Sequence, residues 1–286
     1  MKFRISFILA AVGAIAAFFA GMASADPVAL VNPLMLNPPV GDGQLGPSTT
    51  PGWQVVYGAN PSTGANVVVY NPTSNDFPGA GGNGNLPSPL GIVQATLGAP
   101  DANGNATLIG TTNTLYGGAL AAPALGSQAM FNTSTVDNDI CFLDNNRTQP
   151  AILLDPNTTY TLTFSIGQGL VNPLPWYAGF SAEITTEDGA LFNVEFHNTG
   201  QDVPDPGTFY DYSIVFQGND WLYAYGKNGP FPGDPLRIGL ILGSGVYATD
   251  IRMDVTTVPE PSTLALLASG LVGLLAYAWR RRTRTA

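Results

Sequence analysis

The chain has 286 residues and a formal net charge of −10, with 45% hydrophobic and only 10% charged residues. That hydrophobic share supports a packed core and argues against wholesale disorder. Over residues 26–258 only Arg147, Lys227, Arg237 and Arg252 oppose nineteen Asp and Glu, a net −15, and such a surface repels phosphate backbones, so no nucleic-acid partner is expected.

At the N-terminus Lys2 and Arg4 precede an apolar run over 5–20, and Ala23-Ser24-Ala25 follows it. A short basic segment, an apolar segment and an Ala-x-Ala site are what signal peptidase reads, so residues 1–25 are a predicted signal peptide cut between Ala25 and Asp26. No Cys follows the apolar run, which excludes lipoprotein processing.

The predicted exported domain, 26–257, is all-β. Segments 53–57 and 67–70 come first. The stretch 71–128 is rich in Gly, Pro, Asn and Ala and poor in charge, and 76–90 reads as loop rather than core. Cys141 is the only cysteine, so no intrachain disulfide can form and stability must come from burial. It alternates with apolar neighbours as a strand residue does, and Asp137-Asn138-Asp139 and Asp144-Asn145-Asn146 beside it read as turns.

Period-two alternation then recurs at Tyr160, Leu162, Phe164 and Ile166, and at Trp176, Ala178, Phe180, Ala182 and Ile184. It continues at Phe192, Val194 and Phe196, with Asp188-Gly189 as a hairpin turn, and at Tyr210, Tyr212, Ile214 and Phe216. The last two runs are Leu236, Ile238, Leu240 and Leu242, then Thr249, Ile251, Met253 and Val255. Each run buries one side, so an antiparallel β-sandwich, a jelly roll, is predicted. Phe164, Phe180, Phe196, Phe216, Ile238, Leu240 and Ile251 are its expected core.

His197 is the only histidine, which removes most nucleophile–base pairs and any multi-histidine metal site. Glu183, Glu187 and Glu195 are, by residue type only, the carboxylates that a glycosidase pair would draw on, and a solvated strand face is the favoured explanation of each. No cofactor is called for, and no motif of its own supports a structural calcium. Trp221, Tyr223 and Tyr225 repeat at i, i+2 and i+4 beside Asn219 and Asp220. On an extended segment three such rings share one face, a platform on which sugars could stack, or else part of the core.

The C-terminus reads Pro259-Glu260-Pro261-Ser262, then a seventeen-residue apolar span over 263–279, then Arg280, Arg281, Arg282 and Arg284. Seventeen residues reach the short limit for a membrane-spanning helix, the prolines mark its start, and the arginines stay cytoplasmic. This tail, 258–286, resembles the PEP-CTERM sorting signal of bacterial exopolysaccharide-associated proteins. The resemblance implies that an exosortase cuts near the Pro-Glu-Pro segment, with this chain as its substrate.

The domain itself resembles the galactose-binding or carbohydrate-binding jelly-roll ectodomains that accompany such tails. Leu154-Asp155-Pro156-Asn157-Thr158, Pro235-Leu236-Arg237-Ile238 and Ala248-Thr249-Asp250-Ile251-Arg252-Met253 carry that likeness. Where such domains place an acidic residue able to hold calcium, this chain has Leu36, which cannot bind a hard cation. The resemblance implies a non-enzymatic surface or matrix protein with extracellular polysaccharide as partner. A carbohydrate-active hydrolase or lyase and a purely structural envelope protein are the alternatives.

Overall fold

In the computed structural model the described residues are 26–28, 30, 34–36, 39–46, 54–57, 67–80, 84–98, 106, 108–117, 120–133, 141–145, 152–170, 180–186, 191–196, 204–218, 233–243, 245–257, 270–271, 273–275 and 277. Among them lie β1 (Asp26–Val28), β2 (Gln54–Tyr57), β3 (Val67–Tyr70), β4 (Gly91–Leu97), β5 (Leu108–Leu115), β6 (Ala129–Asn132) and β7 (Cys141–Asn145). These are followed by β8 (Thr158–Gln168), β9 (Phe180–Thr186), β10 (Leu191–Phe196), β11 (Thr208–Gln217), β12 (Leu236–Leu242) and β13 (Val246–Thr257).

Two proline turns launch the central strands. In Asp155-Pro156-Asn157-Thr158 the Thr158 N–H donates to Asp155 O at 3.1 Å, and Asn157 N–H donates to Asp155 Oδ1 at 2.8 Å. In Asp205-Pro206-Gly207-Thr208 the Thr208 N–H donates to Asp205 O at 3.0 Å, and Gly207 takes the positive φ of 81° that a turn with proline ahead of it requires. β8 and β11 then pair antiparallel along their full lengths, from Thr208 opposite Gln168 to Gln217 opposite Thr159.

The strands form two sheets. The larger runs β3-β6-β13-β8-β11-β4-β5, with β1 attached to β13, and the smaller runs β10-β9-β12-β7-β2. Their facing sides bury one core: Tyr160, Leu162, Phe164 and Ile166 of β8 and Tyr212, Ile214 and Phe216 of β11 meet Phe180, Ala182 and Ile184 of β9 and Ile238 and Leu240 of β12. Phe180 reaches across, its ring centroid 4.6 Å from Tyr212 and 6.0 Å from Phe164. The architecture is therefore a β-sandwich, and the expected core residues Phe164, Phe180, Phe216, Ile238, Leu240 and Ile251 are buried. Phe196 lies in β10, but its burial falls outside the described residues.

Four expectations need correction. The large sheet is mixed, because β4 runs parallel to β11; alternation fixes the face a strand buries, not its direction beside a neighbour. Thr249 does not share a face with Ile251. Ala248 takes the core position, Asp250 has a φ of 48°, and the β13–β8 register shifts between Thr249 and Arg252, so an inserted bulge residue moves the alternation by one.

The described residues of segment 76–90 are irregular, yet they are not outside the core. Phe77, Ala80 and Leu86 join Leu125, Ala129, Phe131, Phe209 and Tyr247 in a second cluster on the outer side of the large sheet. Phe131 stacks on Tyr247 at 4.3 Å, and Phe77 lies 4.7 Å from Phe209. Gly167 is needed beneath this cluster, since a Cβ there would stand 2.5 Å from the Phe209 ring. Finally, Asp144 and Asn145 are strand residues of β7, paired with Gly239 and Ile238, rather than a turn.

Candidate functional site

The strand that leads into the C-terminal tail is an interior strand of the large sheet. β13 pairs with β8 from Val246 to Thr257, while its other side is taken by β6 at Tyr247 and Ala248 and by β1 at Met253 to Val255. Asp26, the residue expected to follow signal cleavage, opens β1 and stands opposite Val255. The first and last described strands are thus neighbours, and β13 ends at Thr257, the residue before Val258.

The bulge in β13 brings together the described charges that are most deeply placed. Asp211 of β11 is fully buried on the outer side of the large sheet. Its Oδ1 accepts from Ser165 Oγ of β8 at 2.5 Å, and its Oδ2 accepts from Tyr116 OH at 2.5 Å and from an Arg252 guanidinium nitrogen at 2.9 Å. Arg252 Nε faces Asp250 Oδ2 at 3.2 Å, an ion pair without hydrogen-bond geometry. The guanidinium therefore bridges two carboxylates, and the pair outweighs burial, holding its pKa above the ordinary value. Burial pushes the Asp250 carboxyl up, nearby Asp211 adds to this, and Arg252 opposes both.

A pH dependence follows. An acid whose folded pKa is raised binds its proton more tightly folded than unfolded, so its contribution to stability falls as pH rises through that window. Relative to Asp250→Asn, the native chain should gain melting temperature on acidification from neutral pH toward the unfolded aspartate value of about 4. The Asn variant suits the left-handed backbone at this position, so the comparison isolates the charge. A difference between the two melting curves that does not change with pH would contradict the assignment.

The clamp differs from the sites expected from sequence. Asn219, Asp220, Trp221, Tyr223 and Tyr225 lie outside the described residues, as do Trp176, Glu187 and His197. The segment that carries the rings begins one residue after Gly218, whose missing Cβ lets the chain close on the Asp155 carbonyl. Glu183 and Glu195 sit opposite Asn193 and Ser181 on the β9–β10 hairpin. Among the described residues no group of three or more His, Cys, Asp or Glu is placed to hold a metal ion. Sequence reasoning missed Asp211, although it is the one charged residue of its strand and stands between Tyr210 and Tyr212, a visible signal.

Ala23, Ala25, Pro259, Glu260, Pro261 and Ser262 also lie outside the described residues. Within the predicted membrane span, residues 270, 271, 273–275 and 277 are helical, and Leu274, Leu275 and Tyr277 are exposed. Among the described residues no helix is long and apolar enough to cross a membrane.

Residues 257–282 match the PEP-CTERM protein-sorting motif. The match starts at Thr257, the last residue of β13. No curated protein matches the chain. The motif indicates an exported protein of the cell envelope that is directed to an exosortase.

Proposed function

From this sorting motif at the end of the last strand, we propose that the chain is a non-enzymatic surface or matrix protein whose sandwich associates with extracellular polysaccharide. The observation that carries the reading is the join between Thr257 and the motif: the folded domain ends where the sorting signal begins, leaving the sandwich as the exported cargo. The apolar, exposed side chains of the tail helix support insertion of 263–279 into the membrane before processing. The two-sheet architecture supports kinship with jelly-roll ectodomains. Asn219, Asp220, Trp221, Tyr223 and Tyr225 are the proposed sugar-stacking platform, by ring spacing alone.

Signal peptidase acts first in this scheme and exosortase second. Mass spectrometry of the protein recovered from its native host should find an N-terminus at Asp26 and no Arg280–Arg284 cluster. Replacing Pro259, Glu260 and Pro261 together with Ala should leave the full tail attached and the protein in the membrane fraction. An intact tail on native surface protein would instead make the span a lasting anchor. The same mature protein on a glycan array should bind without releasing product; turnover of any glycan would move the hydrolase or lyase reading ahead.

A further inference from the structure

The last strand and the sorting motif share a residue. β13 runs to Thr257 and the matched motif begins at Thr257, so Val258 alone stands between the final ladder pair and Pro259. That end of β13 is held on both sides. Thr256 and Thr257 pair with Thr159 and Thr158 of β8, and Val255 pairs with Asp26 of β1. Thr158 is fixed in turn, being 3% exposed with its N–H donated to Asp155 O in the turn that launches β8.

The fold and the processing enzyme therefore compete for one stretch of backbone. A protein that recognises a peptide segment in extended form does so through that segment's own N–H and C=O groups, and a segment already committed to a ladder is not free to enter a second one. Residues 256–258 lie directly upstream of the Pro-Glu-Pro segment. While Thr256 and Thr257 remain paired with β8, the sandwich stands against the motif with a single residue of slack. Strand ends open more readily than strand centres. The share of molecules open at this end then sets how often the tail can be taken up.

We propose that the last two ladder pairs, Thr256 with Thr159 and Thr257 with Thr158, control tail processing: the exosortase takes up the motif only from molecules in which these pairs have opened. This rests on the processing scheme above and adds the step that limits it. Opposed residues on antiparallel neighbours are within disulfide reach, so Thr158→Cys combined with Thr257→Cys locks the strand end once the chain is exported. In the native host the disulfide-linked fraction of this variant should keep the Arg280–Arg284 cluster, read by mass spectrometry, whereas each single cysteine variant should lose it as the native chain does. A Gly-Ser-Gly-Ser insert between Thr257 and Val258 should restore tail loss to the locked variant, since it returns slack without touching the ladder; a misfolded domain would not be rescued in this way. Tail loss from the locked chain at the native rate would overturn the proposal, and so would an insert that fails to restore it. A native chain that keeps its own tail would instead bring down the processing scheme, and the proposal with it.

Discussion

Replacing Phe180 with Ala should lower the stability of the sandwich by about 3–5 kcal/mol, the usual cost of emptying a buried aromatic site. Phe180 is the first residue of β9 and is 4% exposed. Its ring lies edge-on to both Tyr212 of β11 and Phe164 of β8, so the truncation removes contacts between the two sheets and leaves a void between strands that cannot approach each other. Phe180→Leu should lose clearly less, because most of the volume survives. Denaturant titration followed by tryptophan fluorescence measures both. Equal losses for Ala and Leu would mean that the cavity does not govern the cost.

A second large effect is expected at Asp211. Asp211→Ala should cost about 3 kcal/mol, the lower end of the range for breaking a buried ion pair. The lower end applies because the Arg252 side chain is 40% exposed and water screens part of its charge. The loss comes from three donors at once: Ser165 and Tyr116 lose their hydroxyl acceptor, and Arg252 keeps only its poorly aligned contact with Asp250. Asp211→Asn keeps the shape but turns an NH₂ group toward one of those donors, so it should recover little. Combining Asp211→Ala with Arg252→Met should cost less than the sum of the two single changes, since the stranded cation is gone. Strict additivity would show that the clamp is not a unit.

The two sheets were legible because their facing strands keep strict alternation: Tyr160 to Ile166 and Leu236 to Leu242 bury the residues that period two selects. Two things defeated that rule. At Asp250 one bulge residue with a φ of 48° inverts the phase, and the neighbouring Thr249 bonds outside its own strand, its Oγ1 donating at 3.1 Å to the carbonyl of Gln128, 121 residues away in sequence. The segment around Phe77 reads as loop by composition, yet it buries a ring because β11 and β13 offer Phe209 and Tyr247 on their outer side. That face was expected to be solvated.

The clamp was hidden for a similar reason. Asp211 meets Tyr116, Ser165 and Arg252 across separations of 95, 46 and 41 residues, and no spacing rule links them. The sorting motif was readable because its information is local: a short proline-containing segment, an apolar span and a basic end need no tertiary contact to be recognised. The ring platform is the opposite case, for its meaning depends on which face of 219–225 meets solvent.

The route of β13 through the sandwich bears on how the protein carries load. A pull along the tail acts at Thr257, along the axis of a strand hydrogen-bonded to β8 over its length and flanked by β1 at its end. Such a force cannot open the ladder one rung at a time, as peeling would; it must shear many backbone bonds together. The Arg252–Asp211 ion pair and the bulge at Asp250 act as a notch against sliding, because a displaced β13 would drag a cation away from buried Asp211 and move Ile251 and Met253 out of the core. Tension applied between Thr257 and the rest of the sandwich is therefore borne in shear by the β13–β8 ladder.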